Sequence, residues 1–336
     1  MYIGSRVPVQ EGTMTRAPHT CRGTTRAQVP TMRFFHHREF SSRPHLLAAK
    51  KQQGATVSLV IPALNEAATV GAIVEAACRE SAGADALLDE VIVMDGSSED
   101  GTERVAAGAG ARVCRACDVM PDMRVPEGKG ASMWKSQFVA RGDIIVFLDA
   151  DIGDFGPHYL YGLIGPLLLD PELQWVKAFY RRPLVLDRTV HDGYGGRVTE
   201  LLVRPLLSAW YPELATVRQP LAGECAFRRG VLRQLPFSSG YGVETQLLLH
   251  MYRRHGLSGL AQVDLDSRRH RNRPVAQLAL MSFAILRVFF EFLREDKEVS
   301  LPPLSDELVR AACGAEERVR VSECMLPPAE TVQAVV

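Results

Sequence analysis

The sequence predicts an α/β fold in which a mostly parallel, Rossmann-like sheet is flanked by helices. From residue 57 onward, short β-branched and apolar runs alternate with helical patterns, and this alternation is typical of parallel sheets covered on both faces. One of the runs is followed directly by the triplet Asp149-Ala150-Asp151. In such sheets ligands bind beyond the carboxyl ends of the strands, so the two carboxylates are predicted at a binding edge.

The composition is that of an ordinary globular chain and disfavours some classes of protein. The 336 residues are 46% hydrophobic and 23% charged, which is enough for one large or two modest domains. The 39 Lys and Arg balance 39 Asp and Glu, which disfavours a general binder of nucleic acid or membrane surfaces. The seven cysteines are scattered, and Cys114-x-x-Cys117 has no second pair at zinc-like spacing, so we expect free thiols in a reducing cytoplasm.

The predicted elements alternate regularly in the first half of the chain and less regularly in the second. Strands are predicted over 57–61, 90–94, 112–114, 143–148 and 174–180. Helices are predicted over 66–79, from 99, and over 130–140, 158–169, 197–210, 244–255 and 274–293. The longest apolar stretch, 276–290, is interrupted by Gln277, Ser282 and Arg287, so it predicts a packed amphipathic helix and no membrane span.

Polar residues suited to a nucleotide follow two of the predicted strands. After the first strand comes Pro62-Ala63-Leu64-Asn65-Glu66, in which Asn65 is a predicted N-cap and Glu66 falls in the first helical turn. After the second comes Asp95-Gly96-Ser97-Ser98, whose carboxylate is placed to accept hydrogen bonds from a base or ribose. Each segment is equally well explained as a polar turn that caps a helix.

The aspartate pair at the end of 143–148 completes this series. Two carboxylates at one strand tip suit a divalent cation, which would neutralise a departing diphosphate. The triplet alone is weak, because a chain of this length contains about one Asp-x-Asp by chance. Asp264-Leu265-Asp266 is such a second occurrence. The three strand-end motifs reinforce one another because parallel strands bring them to the same edge.

A lysine between two glycines offers a positive charge near this edge. Gly128-Lys129-Gly130 would present Lys129 to a diphosphate or a phosphorylated acceptor, although a plain helix-start lysine explains it equally well. The sequence has no Gly-x-x-x-x-Gly-Lys-Ser/Thr loop and no Gly-x-Gly-x-x-Gly after a strand. Neither a P-loop NTPase nor a dinucleotide-dependent Rossmann enzyme is therefore supported.

Taken together, these segments resemble a GT-A glycosyltransferase, and later segments narrow the resemblance. The later segments are Gly195-Gly196-Arg197-Val198-Thr199-Glu200, Gln219-Pro220-Leu221-Ala222-Gly223-Glu224, Gly240-Tyr241-Gly242-Val243-Glu244 and His270-Arg271-Asn272-Arg273-Pro274. With them the chain resembles the glucosyl-3-phosphoglycerate synthase family, from about residue 45 to about residue 290. The resemblance implies a metal-dependent retaining enzyme that moves glucose from a nucleotide donor, UDP-glucose foremost, to the 2-hydroxyl of 3-phosphoglycerate.

The resemblance also implies a set of site residues. Donor contacts are implied at Pro62, Ala63, Leu64, Asn65, Glu66, Asp95, Gly96, Lys129, Asp149, Ala150, Asp151, Tyr241, Gly242, Glu244 and Arg268. Acceptor contacts are implied at Lys129, Gly196, Arg197, Val198, Thr199 and Asn272. Asp151 and His270 would hold Mg²⁺, with Mn²⁺ or Co²⁺ as alternatives, and Asp149 would assist. The family often has serine where this chain has Gly96 and Ala150, so one side-chain hydrogen bond to the donor is absent at Gly96.

Glu244 and Asp151 are the implied catalytic residues. Glu244 would lie near the reacting centre and orient the acceptor hydroxyl, or accept its proton. For a retaining transfer we favour front-face attack, in which the departing phosphate oxygen receives that proton and no covalent intermediate is needed. Within the expected fold, residues 1–45 would be a basic, disordered extension, 46–155 the nucleotide-sugar half, 156–295 a largely helical acceptor half, and 296–336 a helix with a disordered tail.

Several alternatives remain open at this point. Another GT-A transferase, with a different sugar or a polyprenyl-phosphate acceptor, would share the strand-end motifs. A non-catalytic protein that binds nucleotide sugars would share the fold. The sequence does not choose between UDP and GDP donors or between glucose and mannose, and a homodimer is expected only from the family.

Overall fold

The computed structural model describes residues 31–182, 184–186, 189–191, 196–268, 274–312 and 315–332. In chain order the first half contains β1 (Arg33–His36), α1 (Arg43–Gln53), β2 (Val57–Ala63), α2 (Val70–Glu80), β3 (Glu90–Asp95), α3 (Thr102–Gly108), β4 (Arg112–Arg115), α4 (Lys129–Ser136), β5 (Ile144–Phe147) and α5 (Pro157–Leu169). The second half contains β6 (Trp175–Arg181), β7 (Leu184–Leu186), β8 (Thr189–His191), a π-helix (Thr199–Val203), α6 (Arg204–Trp210), β9 (Cys225–Arg228), α7 (Arg229–Leu232), β10 (Phe237–Ser238), α8 (Val243–His255), β11 (Leu260–Ser267), α9 (Val275–Asp296), β12 (Glu307–Ala312), β13 (Ala315–Arg320) and β14 (Met325–Leu326).

Eight of these strands form one sheet in the order β1-β11-β6-β9-β5-β2-β3-β4. Strand β9 runs antiparallel to both of its neighbours, and every other pair is parallel. The sheet therefore runs through both halves of the chain. The predicted fold class, a mostly parallel sheet flanked by helices, is confirmed.

The central strands are buried on both faces, as their continuous apolar sequences predict. Along β2, Leu59 and Ile61 pack into a core with α1, α2, α3 and α5, while Val60 packs into a second core with α4, α6, α8 and α9. All three side chains are fully buried. Because each core covers one face, the polar carboxyl ends of the strands are left as the open edge of the sheet.

The ordered chain begins earlier than the predicted extension allows. Residues 1–30 lie outside the described ranges, but β1 pairs with β11 at the edge of the sheet. Helix α1 follows and buries Leu46 and Ala49. The expected disordered segment over 1–45 is therefore wrong for residues 33–45. A four-residue strand with basic ends gives too short a pattern to recognise.

The C-terminal region also differs from expectation. Instead of a further helix and a frayed tail, β12 and β13 form an antiparallel hairpin, and β14 pairs with β10. Leu326 and Ala329 are buried, and the Trp134 indole donates to the carbonyl of Pro327 at 2.7 Å. This tail is held by packing against distant parts of the chain, which its proline-rich local sequence does not reveal. Residues 333–336 lie outside the described ranges.

Helix α9 is longer than predicted. It is the one helix of the described chain that is long and apolar enough to cross a membrane, by length and composition. One face packs into the core through Ile285, Phe289 and Leu293, which are fully buried. Arg287, near its middle, donates to the carbonyl of Val321 at 2.7 Å. The helix therefore has the predicted amphipathic packing at the side that faces the core.

Candidate functional site

A pocket of about 650 Å³ opens at the carboxyl ends of β2, β3 and β5. It is lined by residues predicted from the sequence, namely Pro62, Ala63, Leu64, Glu66, Gly96, Lys129, Asp149, Ala150, Asp151, Gly196, Arg197, Val198, Thr199, Tyr241, Glu244 and Arg268. Asn65, Asp95 and Gly242 are not among its lining residues, although their chain neighbours are. His270 and Asn272 lie outside the described residues.

The loops after β2 and β3 are fastened to each other. The Asn65 side-chain oxygen accepts from the backbone N–H of Glu99 at 2.9 Å, and the Asn65 backbone N–H donates to Ser98 Oγ at 2.9 Å. Asn65 has a positive φ of 56°, a conformation that asparagine tolerates better than most residues. The prediction that Asn65 caps a helix is wrong, because α2 begins at Val70, after Glu66. Asn65 instead fixes the distance between two strand tips.

The Asp95 carboxylate lies at the second strand tip and is almost fully buried. Its Oδ2 atom accepts from the backbone N–H groups of Ser97 and Ser98 at 3.1 and 3.0 Å. Its Oδ1 atom is buried without a hydrogen-bond partner in the described residues. An unpaired buried acceptor is costly in a native fold, so this oxygen suits a donor group on a ligand.

The third strand tip carries the aspartate pair, and Lys129 joins it to helix α8. The Lys129 ammonium lies 2.6 Å from Asp149 Oδ1 and 2.6 Å from Glu244 Oε1. Lys129 is the first residue of α4 and Glu244 is in the first turn of α8. Three separate elements are thus held together through one cation, and Glu244 is placed beside the strand tip.

Arg268, which follows β11, contacts the same aspartate pair. We name Lys129, Asp149, Asp151, Glu224, Glu244 and Arg268 the buried cluster. The Arg268 guanidinium donates to Asp149 Oδ2 at 3.1 Å, contacts Asp151 Oδ1, and lies 2.6 Å from Glu224 Oε1. The Tyr180 hydroxyl accepts from Arg268 at 2.8 Å and donates to Glu224 Oε2 at 2.6 Å. Arg268 and Glu224 are almost completely excluded from solvent. A buried ion pair with this many partners fixes the aspartate side chains before any ligand binds.

Burial and charge act in opposite directions on these groups. Burial would lower the pKa of Lys129, but Asp149 and Glu244 outweigh it and raise the pKa well above its usual value. Burial would also lower the pKa of Arg268, but its negatively charged neighbours, Glu224 foremost, outweigh it and raise the pKa. Burial would raise the pKa of Asp149, but Lys129 and Arg268 outweigh it and lower the pKa. For Glu224 burial prevails and raises the pKa, even beside Arg268.

The cluster has a surplus of negative charge when all its groups are ionised. Lys129 and Arg268 face four carboxylates, those of Asp149, Asp151, Glu224 and Glu244. The formal surplus is two negative charges with Glu224 ionised and one with Glu224 protonated, so a cation is favoured in either state. The oxygens of Asp149 and Asp151 are the type of ligand that Mg²⁺ and Mn²⁺ accept. The residues therefore fit a divalent metal.

Gly223 permits this close approach of charged groups. A Cβ atom at this position would lie 2.2 Å from Asp149 Oδ1 and 2.6 Å from Lys129 Nζ. No larger residue fits without displacing the ion pair. The predicted segment 219–224 thus contributes two features to the site. Gly223 leaves space for the ion pair of Asp149 and Lys129, and Glu224 supplies a buried carboxylate to Arg268.

The predicted acceptor segment also forms part of the pocket wall. Gly196 has a positive φ of 79° and precedes the helical turn that leads into the π-helix. Arg197 lines the pocket, and Arg182 and Arg320 line it as well. Thr199 is buried at the start of the π-helix. This wall supplies positive charge and backbone N–H groups for an anionic ligand.

The second Asp-x-Asp triplet has a different environment. Asp266 accepts from the Nε2 atoms of His36 and His37 at 3.2 and 2.7 Å, at the edge of the sheet. These are the only three residues of the described chain that bring His, Cys, Asp or Glu ligand atoms together within 4.8 Å. His36 Nδ1 accepts from the backbone N–H of Arg38, which assigns the ring proton to Nε2 and leaves no lone pair there for a metal. Asp266 of this triplet therefore forms hydrogen bonds with the two histidines at the end of β1.

Comparisons with known proteins assign this arrangement to a family. The sequence profile of Glycosyl transferase family 2 matches residues 58–172. The glucosyl-3-phosphoglycerate synthase of Petrotoga mobilis is 40% identical over 305 residues, which cover 89% of this chain and 94% of that protein. The chain belongs to the glucosyl-3-phosphoglycerate synthase family.

Solved structures of the family agree in fold. The glucosyl-3-phosphoglycerate synthase of Mycobacterium tuberculosis, in complex with Mn²⁺, UDP-glucose and phosphoglyceric acid, has a TM-score of 0.79 and 38% identity, and the match covers 89% of this chain and 98% of that one. The mannosyl-3-phosphoglycerate synthase of Rubrobacter xylanophilus has a TM-score of 0.81 and 35% identity, with 90% and 96% covered. This chain is a GT-A glycosyltransferase.

Sequence reasoning missed several residues that build the site. Glu224 and Tyr180 hold Arg268, yet neither appears among the predicted contacts. Glu323, with its neighbours Val321 and Ser322, lines the pocket from a segment predicted to be a frayed tail. The segment around Glu224 was singled out as a motif, so its glutamate was the one signal available. Nothing near Glu323 in the sequence indicates a site.

Proposed function

We propose that this protein transfers glucose from UDP-glucose to the 2-hydroxyl of 3-phosphoglycerate, giving glucosyl-3-phosphoglycerate. The observation that carries the proposal is the Asp149–Lys129–Glu244 contact, which joins the strand tip to helix α8 inside the pocket. The donor segments line this pocket together with Arg182, Arg197 and Arg320. A sugar diphosphate and an anionic acceptor would therefore bind in one pocket beside this contact.

On the donor side, the backbone of residues 62–64 and the Asp95 carboxylate would bind the nucleoside. The unpaired Oδ1 of Asp95 supports this role, because it needs a hydrogen-bond donor. At Gly96 the nearest atom to an added Cβ would be the Ala63 carbonyl oxygen at 3.4 Å, so a serine would fit there without strain. Its absence removes one side-chain contact with the donor and leaves the pocket shape unchanged.

On the acceptor side, Arg197 and Lys129 would bind the phosphate and carboxylate of 3-phosphoglycerate. Thr199 would contribute a hydroxyl group, and Asn272 is assigned by the family resemblance. Two anionic groups on one small molecule require several converging donors, and this wall supplies them. The same requirement argues against a long polyprenyl phosphate, which carries one anionic group and an apolar chain.

Glu244 would orient the attacking hydroxyl. Lys129 holds its carboxylate in place at 2.6 Å, so its direction is set before the substrates bind. We favour front-face transfer, in which the departing phosphate oxygen takes the proton of that hydroxyl. Asp149, held by Lys129 and Arg268, keeps the strand tip rigid while charge moves from the sugar to the diphosphate.

Asp151 and Asp149 would hold the divalent metal together with His270. The cation would stabilise the negative charge that develops on the leaving diphosphate. Mg²⁺ is the first choice because the described ligands are oxygens, and a histidine ligand also admits Mn²⁺ or Co²⁺. The surplus of carboxylates in the buried cluster supports this assignment.

We also place the enzyme in the cytoplasm. The apolar core face of α9 and the bond from Arg287 to Val321 support a helix packed in a globular protein. Five described cysteines are free, which suits a reducing compartment. Fractionation of cells that express the tagged protein would test the assignment, and recovery in the membrane pellet would contradict it.

Product analysis by mass spectrometry tests the proposed reaction. The purified protein is incubated with UDP-glucose or GDP-mannose, with and without 3-phosphoglycerate, and with Mg²⁺ or a chelator. We expect glucosyl-3-phosphoglycerate from UDP-glucose only when metal and acceptor are both present. Efficient mannosyl transfer would favour the second candidate, which the likeness to the Rubrobacter xylanophilus enzyme supports. Donor binding without transfer or hydrolysis would contradict enzymatic function altogether.

Glu244→Gln separates the chemical step from donor binding. The amide keeps the size of the side chain but loses the negative charge that faces Lys129. We expect kcat to fall by about 10²- to 10³-fold while the Kd for UDP-glucose changes little. Turnover equal to that of the wild type would remove Glu244 from the mechanism.

A further inference from the structure

We infer that Glu323 is a positioning residue for glucosyl transfer, acting through the backbone that carries Glu244. Two segments are involved: residues 238–242, here named the glycine loop, and residues 321–326, here named the C-terminal strap. The inference rests on the proposed function, because it concerns the geometry of the same site. It adds a residue from a part of the chain that none of the site motifs contains.

Glu323 binds the glycine loop at three points. Its Oε2 atom accepts from Ser238 Oγ and from the backbone N–H of Gly240 at 3.0 Å. Its Oε1 atom accepts from the backbone N–H of Gly242 at 3.4 Å. Two backbone hydrogen-bond donors that precede helix α8 are thus satisfied by one carboxylate, which also suits the positive end of the helix dipole.

The opposite side of the glycine loop contacts helix α4. The backbone N–H of Ala131 donates to the Ser239 carbonyl at 2.7 Å. A Cβ atom at Gly130 would lie 1.9 Å from the Ser238 carbonyl oxygen, so the two backbones are in direct contact. The glycine loop is therefore held between the C-terminal strap and the start of α4, which carries Lys129.

The glycine loop has little means of holding its own shape. Gly240 and Gly242 lack side chains, and glycine loses more conformational freedom on ordering than other residues. A Cβ atom at Gly240 would lie 2.3 Å from Glu323 Oε1, so any other residue there would displace the carboxylate. Glu244 lies two residues after Gly242. Any displacement of the loop therefore moves Glu244 relative to Lys129 and the strand tip.

The C-terminal strap is anchored independently of Glu323. Leu326 is buried, β14 pairs with β10, and the Pro327 carbonyl accepts from Trp134. The Cys324 carbonyl also accepts from the backbone N–H of Ser239 at 2.9 Å. Loss of the carboxylate alone should thus leave the strap packed. This distinguishes a positioning role from a purely structural one.

The test compares Glu323→Gln with Glu330→Gln in the full-length protein. Glu330 is an exposed glutamate further along the same tail and serves as the matched control. A glutamine amide keeps one acceptor oxygen but presents N–H groups where the other carboxylate oxygen accepts from the glycine loop. We expect kcat to fall by about 10- to 100-fold in Glu323→Gln, as for a small misplacement of a catalytic group. KM for UDP-glucose and the melting temperature should stay near the wild-type values.

A double-mutant cycle with Glu244→Gln identifies the path of the effect. If Glu323 acts through Glu244, the loss of kcat caused by Glu323→Gln becomes much smaller in the Glu244→Gln background. Equal losses in both backgrounds would overturn the inference. So would wild-type kcat in Glu323→Gln, or a loss of activity that matches a loss of folded protein. A wild-type enzyme without product would instead refute the proposed function, and this inference with it.

Discussion

The two sides of the pocket are built in different ways. On the nucleotide side, three parallel strands end in adjacent polar segments, and each segment is continuous in the sequence. On the transfer side, Lys129, Glu224, Glu244, Arg268 and Glu323 come from separate elements and meet only in the folded chain. The first side follows from the topology of the sheet, whereas the second depends on tertiary packing.

This difference shows which residues tolerate independent change. A strand-tip residue depends on its own strand, which two cores bury on both faces. A residue of the buried cluster depends on several elements at once, so its loss disturbs stability as well as chemistry. Substitutions at the strand tips should therefore change the rate, whereas substitutions in the buried ion pair of Arg268 and Glu224 should also change folding.

Among substitutions on the nucleotide side, the largest effect on rate is expected for Asp151→Asn. The substitution removes one carboxylate from the implied metal site, while Arg268 keeps Asp149 and Glu224 as partners. We expect kcat/KM to fall by at least about 100-fold because charge on the leaving diphosphate is no longer stabilised. Steady-state kinetics over a range of Mg²⁺ concentrations measures the loss.

Asp264→Asn is the matched control, since it lies in the second Asp-x-Asp triplet. Its Oδ1 atom accepts only a backbone N–H, from Asp266, and an asparagine oxygen can still do so. This variant should keep wild-type activity. Equal losses in both variants would mean that the pocket around Asp151 is not the metal site.

The same contrast explains what could be predicted from sequence. Apolar runs predicted β2, β3 and β5, and the strand-end rule predicted that their polar segments lie at one edge. Strands β1 and β9, with four residues each, are too short to give a clear pattern. In β11 the alternation over 262–266 is typical of a strand, but the prediction did not include it. The fold class was predictable because the long buried strands determine it.

Contacts of the buried cluster were not predictable from local patterns. Arg268 meets Asp151 across 117 positions, and Glu323 meets Ser238 across 85. Arg268 and Glu244 entered the prediction only through the family resemblance. The capping role of Asn65 was wrong because a side-chain amide fits both a helix cap and a link between loops, and the local sequence is the same for both.

The largest effect on stability is expected for Glu224→Gln on the transfer side. The substitution leaves the buried Arg268 without its most deeply buried ionic partner. Breaking a buried ion pair by removing one partner typically costs about 3 kcal/mol of the free energy of unfolding. Urea unfolding followed by circular dichroism measures it, with the exposed Glu172→Gln as the control. A change below about 0.5 kcal/mol would show that the remaining aspartates alone satisfy Arg268.

A smaller effect is expected for Gly223→Ala. The added Cβ atom would overlap Asp149 Oδ1 and push the Lys129 ion pair apart. We expect kcat/KM to fall by about tenfold, because the strand tip and Glu244 move relative to each other. Gly230→Ala is the matched control, since nothing lies within 4 Å of its added Cβ atom. Similar kinetics of the two variants would contradict the tight packing of the cluster.

The smallest effect concerns helix α8 beyond the site, at the buried His250. Burial, helped by Arg253 and Arg254, lowers the pKa of His250 from 6.5 to about 3, against a small opposite effect of Asp296. Between pH 6.5 and about pH 3, His250 is therefore protonated in the unfolded chain but neutral in the folded chain. This contribution to stability is present above pH 6.5 and is lost as the pH falls toward 3.

We expect the free energy of unfolding to drop by about 1 kcal/mol more in the wild type than in His250→Gln between pH 7.0 and pH 5.5. Urea unfolding at both pH values measures the difference, and His45→Gln, at an exposed position on α1, is the control. Because α8 begins with the residues that carry Glu244, acid should loosen the transfer side before the strand tips. If His250→Gln shows the same pH dependence as the wild type, this histidine is not the group that makes the transfer side sensitive to acid.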